Sequence, residues 1–377
     1  MAHSIVIVGA GFAALSAARS LRRHDPSASI TLLAPRREFV FLPSLIWIPS
    51  GKRKASDIIV PLDKFLSKHN IAFVEAEATG LEEEGRKLLT TAGPLHNDGL
   101  IIASGGRFIK KLPGIEHAIL PCEGVAAAEK LRDRLEALEE GTVAFGFSGN
   151  PNEPTAMRGG PIFEFLLGTD TLLRKQKRRN RIRLAFFNPM PSPWQRLGES
   201  AVRRLMQQMK ERGIETYLGH KLVGFEESKV KTEGAEFAAD IIVFMPGMTG
   251  NAWFDATPLP RSPGGFVQAD EMCRVAGFER IYVAGDAGSY PGPDWMPKQA
   301  HMADMQAEAA ATNLVAELAG SVPENRFQVE LACIVDSLDT GMLVRRTEKG
   351  AMAMPPLGLM HSAKAAFERW YLRRYRL

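Results

Sequence analysis

Cysteine is scarce in this chain: three residues in 377, Cys122, Cys273 and Cys333. Three scattered thiols exclude a disulfide framework and a zinc site, while leaving redox chemistry open. Long hydrophobic runs are missing too. No uncharged apolar stretch reaches the ~18 residues of a membrane-spanning helix. The opening MAHSIVIVGAG has no basic leader region and no cleavage site before its first strand pattern, so no signal peptide is expected and the protein is placed on the cytoplasmic side. Net charge is small, 47 Lys and Arg against 43 Asp and Glu. The whole excess sits between 361 and 377, where Lys364, Arg369, Arg373, Arg374 and Arg376 face Glu368 alone. Such a concentration suggests an anionic surface as partner, and a membrane fits it better than nucleic acid.

What is present reads as an α/β protein of two or three domains. Hydrophobic content of 45% and charged content of 24% are ordinary for a globular chain with a sizeable core. Strand-like runs recur at Ser4–Val8, Ser29–Leu33, Ile71–Glu75, Leu100–Ala103, Thr142–Phe147, Arg181–Phe187, Ile241–Phe244 and Arg280–Ala284. Helical patterns cover Phe12–Arg23, Ala126–Glu139, Pro161–Gln176, Glu199–Arg212 and Gln299–Leu318. The alternation predicts parallel, doubly wound sheets in two Rossmann-like units of the glutathione-reductase type. The first unit occupies 1–115 and is rejoined at 265–325, the second occupies 116–264, and 326–377 forms a C-terminal region.

The first strand ends in Gly9-Ala10-Gly11-Phe12-Ala13-Ala14, a G-x-G-x-x-A fingerprint between strand and helix. Gly9 permits the tight turn, Gly11 admits a pyrophosphate close to the backbone, and Ala14 lets the helix lie near the strand. The N–H groups after Phe12 then face the phosphates. The acid that usually follows the second strand and holds a ribose is absent, because Ala34 occupies its place. Backbone, water or a neighbour such as Arg36 must hold that ribose. Two later segments complete a dinucleotide site for FAD. Ala103-Ser104-Gly105-Gly106 is a small-residue turn at a strand end, and Gly285-Asp286 ends another strand. Asp286 is placed to accept from a ribityl hydroxyl, and Pro297-Lys298 opens a long helix whose N-terminus suits the flavin edge.

The second unit lacks such a turn. Between the strand Thr142–Phe147 and the helix beginning near Pro161 lie Ser148 to Gly160, with two prolines. A pyrophosphate needs the helix to start at the turn, so a nicotinamide dinucleotide is not expected there.

On these residues the chain resembles the sulfide:quinone oxidoreductase and flavocytochrome c sulfide dehydrogenase family of two-dinucleotide-domain flavoproteins. The likeness runs nearly the whole length through Gly9–Ala14, Thr31–Pro35, Phe39–Ser44, Ala103–Gly106, Gly285-Asp286 and Pro297-Lys298. It implies an FAD enzyme passing two electrons from a reduced sulfur compound to a quinone, with the tail Trp370–Arg376 as a membrane attachment. Family members carry a redox cysteine pair. Cys333-Ile334-Val335-Asp336 is similar to one motif of that pair. The other, a C-x-G-P-x-aromatic-E segment, corresponds to Arg158–Glu164, so Arg158 stands where the cysteine is expected, beside Met157. Cys122 resembles an auxiliary cysteine of some members. Catalytic candidates are therefore Cys333, Cys122 and Glu164, the last as a proton carrier. Either Cys122 partners Cys333, or Cys333 acts with an external thiol or persulfide, or the sulfur chemistry is lost. Arg158 is expected to favour the Cys333 thiolate, and Lys298 to stabilise the reduced flavin.

In the tail, Met360, Ala363, Phe367, Trp370 and Tyr371 form a helical stripe with arginines on other faces, as in an interfacial anchor; docking on the protein's own core or on a second copy is the alternative. The basic run Arg174–Arg183 is expected to be a solvated surface. Cys273 is expected on a surface segment. Competing functions are a type II NADH:quinone reductase, a soluble flavoprotein with another donor, and a flavin-bound sensor or assembly protein.

Overall fold

A computed structural model describes residues 2–376. Every strand and helix expected above is present, each end within two residues. The first sheet is parallel and runs, edge to edge, Ile281–Val283, Gly99–Ile102, Ser4–Val8, Ser29–Ala34 and Ile71–Glu75. Its strands read as near-continuous apolar runs because helices and loops cover both faces of a parallel sheet. Ile5, Ile7, Ile101 and Leu32 are fully buried. The late strand Ile281–Val283 pairs with Leu100–Ile102, which carries the chain back to the first sheet after the second is complete.

The second sheet has the same construction, ordered Ala118–Ile119, Ile241–Met245, Gly141–Phe147, Ile182–Asn188 and Glu215–Leu218. Two dinucleotide-binding-type sheets are thus joined by a chain that leaves the first and returns to it.

The helices Phe12–His24 and Ala300–Leu318 pack on each other through small residues. Ala14, Ala17 and Ala18 on one and Ala307, Ala310 and Ala311 on the other are all essentially inaccessible. Alanine allows both helices to lie close to the sheet with their N-termini at its carboxyl edge, the usual binding edge of such folds.

The C-terminal region is an antiparallel sheet, Glu330–Asp336, Gly341–Thr347 and Gly350–Ala353, followed by the helix Gly358–Arg376. This tail helix docks on its own chain. Tyr371, Leu372 and Tyr375 are buried, with Tyr371 5.4 Å from Phe12 and Tyr375 5.1 Å from Phe39 between ring centroids. The expected stripe is therefore split: Tyr371 faces the core, whereas Phe367 and Trp370 are about half exposed, 52% and 54%. Among the described residues no helix is long and apolar enough to cross a membrane.

One surface expectation is refined and one corrected. In the run Arg174–Arg183, Arg174, Lys175, Lys177, Arg181 and Arg183 are exposed, as expected, but Arg178 and Arg179 turn partly inward: Arg174, Arg179 and, after the next helix, Arg212 converge on the inaccessible carboxylate of Asp170, and Arg178 donates to the carbonyls of Leu135 and Leu138. A buried carboxylate needs such partners, which lower its pKa against the opposing effect of burial. Cys273 is fully buried rather than on the surface, with its backbone in the left-handed region at φ 66°.

Candidate functional site

A cavity of about 980 Å³ lies between the two sheets and the C-terminal region. Ordinary small-molecule sites occupy roughly 300–1,000 Å³, so this one is at the large end. Gly9, Gly11, Phe12, Ala34, Arg36, Ser104, Gly105, Gly285, Asp286, Pro297 and Lys298 all line it, and so do Cys122, Glu164 and Cys333. Ala14 does not. It is buried beneath the turn, where its small size brings the helix down onto the strand.

The glycine turn has the geometry of a phosphate cradle. Gly9 sits at φ 129°, and a Cβ there would strike the carbonyl of Ala103, so the two strand-end turns touch. At Gly11 a Cβ would meet nothing within 4 Å, because the position opens into the cavity. The helix Phe12–His24 has no side-chain cap and no acid in its first turn, and the helix Ala300–Leu318 has neither as well. Two uncapped helix N-termini thus border one cavity, and helix N-termini attract anionic groups. These residues fit a dinucleotide.

Ala34 leaves no acid in the usual place after the second strand, but two acids reach the cavity from other elements. Glu38 and Glu77 both line the cavity. Glu38 is paired with the exposed Arg36 at 3.3 Å, so Arg36 sits at the rim. Spacing alone could not reveal them: Glu38 arrives on a short strand that turns back, and Glu77 follows the strand Ile71–Glu75.

Asp286 is engaged by Arg158, whose Nη2 donates to Oδ2. The expected influence of Arg158 on Cys333 is therefore corrected. Arg158 is neutralised by Asp286 and acts on Cys122 instead. Burial and the neighbouring Glu164 push the Cys333 thiol up to about 12, against the opposing pull of Lys364. Cys122 is likewise pushed up to about 12 by burial. Both cysteines are free, and Cys333, on the strand Glu330–Asp336, is open to the cavity. Lys298 donates to the carbonyls of Asp286 and Gly288 and lies 3.9 Å from the Phe266 ring centre; burial lowers its pKa to about 8.

At the cavity's other end, the tail helix contributes Lys364, Phe367 and Tyr371. Lys364 pairs with Glu164 and donates to the Ile334 carbonyl at 3.0 Å. Glu164 also accepts from the Asp336 backbone N–H at 2.9 Å, yet burial still raises its pKa. Behind this pair, the inaccessible Asp336 accepts from Trp47 Nε1 at 3.0 Å, and His361 Nδ1 lies 2.6 Å from its other oxygen. Lys52 meets the far side of His361. Tyr371 donates to both oxygens of Asp304, at 2.9 and 3.0 Å, and Ser16 bonds the same carboxylate at 2.6 Å. Lys364, His361, Asp304 and Lys52 carry no sequence signature; only the folding of the tail back onto the first unit assembles them.

The interrupted segment of the second unit is packed rather than open. Asn150 Nδ2 donates to the carbonyls of Met248 and Gly264 at 2.9 and 3.1 Å, and Glu153 accepts from Ser289 at 2.9 Å. The helix begins only at Gly160.

Comparison with known proteins agrees with this layout. The pyridine nucleotide-disulphide oxidoreductase family matches residues 3–144 and 185–307, leaving out the stretch that holds the interrupted turn. A sulfide-quinone reductase of Aquifex aeolicus is 26% identical over 402 aligned positions, covering 100% of this chain and 92% of the relative. A type II NADH:quinone oxidoreductase of Staphylococcus aureus is 24% identical, covering 93% and 92%. The solved sulfide:quinone oxidoreductase from Aquifex aeolicus superposes with a TM-score of 0.90 at 24% identity, over 100% of this chain and 92% of that one.

Proposed function

The chain belongs to the pyridine nucleotide-disulphide oxidoreductase family, and from that premise we propose that it moves two electrons from a reduced sulfur compound to a quinone at a membrane surface. It is an FAD-dependent oxidoreductase. The observation that carries the finer reading is the reach of a single cavity, from the Gly9–Gly11 turn, past Cys122 and Cys333, to the tail residues Lys364 and Phe367.

Bound FAD would supply the capacity to accept an electron pair from one partner and release it to another. Gly9, Gly11, Ser104 and Gly105 would hold its phosphates and backbone-facing groups, with Glu38 or Glu77 at the adenosine ribose. Cys333 is the thiol for the sulfur donor. With its proton held firmly, it serves as a docking thiol until a neighbouring base takes that proton. Glu164 is such a base: it is buried, close enough to raise the Cys333 thiol, and paired to Lys364. Reducing a quinone consumes two protons, and the Glu164–Lys364 pair stands where the tail helix lines the cavity. His361, Asp336 and Lys52 continue that polar chain outward.

On the tail helix, Leu359 and Trp370 are exposed, Phe367 is half exposed at the cavity's edge, and Arg374 covers Trp370 at 3.8 Å. Aromatic and aliphatic side chains beside arginines suit the interface of an anionic bilayer. In this reading 1–115 with 265–325 form the flavin domain, 116–264 the second dinucleotide-like domain, and 326–377 the quinone-facing region.

The test is sulfide-dependent reduction of a soluble quinone analogue by the yellow protein, beside Cys333→Ser and Cys122→Ser. Loss of activity in Cys333→Ser with retention of flavin supports the reading; full activity in that variant refutes the thiol's role. A type II NADH:quinone reductase is the second reading, supported by the Staphylococcus aureus relative. NADH in place of sulfide distinguishes the two.

A further inference from the structure

A second cavity, of about 840 Å³, lies on the water-facing side of the loop that follows the second sheet's first strand. Met157 and Arg196 belong to both cavities and form the wall between them. Several buried charges elsewhere are neutralised by ion pairs: Asp170 collects three arginines, Glu368 holds Arg53, and Arg158 holds Asp286. Arg196 has no such partner. It is only 7% exposed, and among the described residues it forms no ion pair.

Its two Nη atoms donate to backbone carbonyls, the closest being Met157 at 2.7 Å, and its Nε has no partner. Carbonyls satisfy N–H groups without cancelling a charge, and an uncompensated buried cation is costly to keep. Arg346 sits nearby, also without an ion pair among the described residues. It stacks at 4.8 Å on Trp295 and donates to the Gln195 and Arg196 carbonyls. Arg203 is a third cation, exposed at the rim. The acids that line the cavity, Glu199 and Asp294, are both exposed and pair with none of the three. Apart from Ser192 and Gln195, the rest of the lining is apolar and rich in methionine, with Met157, Met190 and Met206. Methionine is flexible and polarizable, suited to a soft ligand and to a wall that yields.

We propose that this cavity binds the electron donor as an anion, a reduced sulfur compound whose sulfonate, carboxylate or oxyanion head rests on Arg196 and Arg346 while its sulfur end faces Met157. The donor assignment rests on the function proposed above. The anion site itself does not. With the quinone arriving at the tail, a water-borne donor needs a separate entrance, and Met157 and Arg196 border both this cavity and the one holding Cys122 and Cys333. A volume near 840 Å³ accommodates an organic thiol or persulfide as well as an inorganic ion such as thiosulfate.

Calorimetric titration of the holoenzyme with ethanesulfonate, the non-reducing desthiol analogue of mercaptoethanesulfonate, tests the site; sodium sulfate is the inorganic arm. Saturable binding is expected, weakened at least tenfold in Arg346→Gln and severalfold in Arg203→Gln, a rim position whose loss leaves the fold intact. Preference for ethanesulfonate identifies an organic donor, and equal binding of sulfate an inorganic one. Absent binding, or equal affinity in all three proteins, overturns the proposal even if sulfide reduces the flavin. Arginine-dependent binding in a protein that no sulfur compound reduces leaves the site standing and removes the donor assignment.

Discussion

Among the contacts that dock the tail helix, the buried pair of Glu368 with Arg53 should be a main fastening, and breaking it should loosen the helix. Glu368 is 2% exposed and receives Arg53 Nε at 3.0 and 2.9 Å on its two oxygens, with Nη2 on one of them. The Arg53 guanidinium also lies 5.0 Å from the Trp47 ring centre, so both partners are fixed from several sides. Removing one member of a buried pair costs roughly 3–5 kcal/mol; because the Arg53 side chain retains 19% exposure, about 2 kcal/mol is the fitting expectation. At ~1.4 kcal/mol per decade, that is an undocking equilibrium shifted about 30-fold. Hydrogen exchange of the amides between 366 and 374 reads it directly. Glu368→Gln keeps the shape and loses the charge, and should speed exchange of that helix about 30-fold while leaving the Ser4–Val8 strand untouched. Arg53→Met should do nearly the same, and the double variant should add little to either. Strictly additive effects, or exchange within twofold of wild type in Glu368→Gln, would refute the idea that this pair fastens the tail.

Three further outcomes follow from the site. At pH 8, iodoacetamide should modify Cys333 and Cys122 roughly a thousandfold more slowly than a free thiol of pKa ~8.5, because both are pushed up to about 12; mass spectrometry showing rates within tenfold of the free thiol contradicts this. Lys364→Met removes the cation that opposes the upward shift of Glu164. A carboxyl raised above its unfolded value binds more protons in the folded state, so stability falls as pH climbs from about 4.5 through the folded pKa. The variant should accordingly melt lower than wild type at pH 7 and recover toward it on acidification, and a difference independent of pH counts against the pair. Leu359→Ser with Trp370→Ser should release the protein from anionic liposomes without loss of flavin, since both side chains are exposed and neither lines the cavity, and unchanged binding removes the tail as the anchor.

Much of the fold was legible because parallel strands write themselves as unbroken apolar runs, and because the Gly9–Ala14 turn has one geometric solution. The cofactor cavity followed from the same signals: Gly9, Ser104 and Asp286, far apart along the chain, were expected at one place through their strand-end turns, and all three line it. What stayed hidden depends on tertiary closure. The tail was read as one stripe, but Tyr371 and Tyr375 bury against Phe12 and Phe39, while Phe367 and Trp370 do not. The basic run after Leu173 is mostly solvated as expected, but nothing local shows that Asp170 turns inward and that Arg174 and Arg179 meet it. Arg158 was placed near Cys333 by motif position, yet its charge is spent on Asp286, a residue 128 positions away. Charge pairing is a property of the folded surface, and spacing along the chain does not encode it.

The identity of the donor that fills the flavin with electrons decides between the two readings of this protein. Anaerobic titration of the yellow protein answers this in one cuvette, followed at the flavin absorbance maximum. One equivalent of sulfide should bleach the flavin, a soluble quinone should restore the colour, and NADH at the same concentration should leave it unchanged. Rapid bleaching by NADH with no response to sulfide would contradict the proposed function and return the chain to its nicotinamide-using relatives.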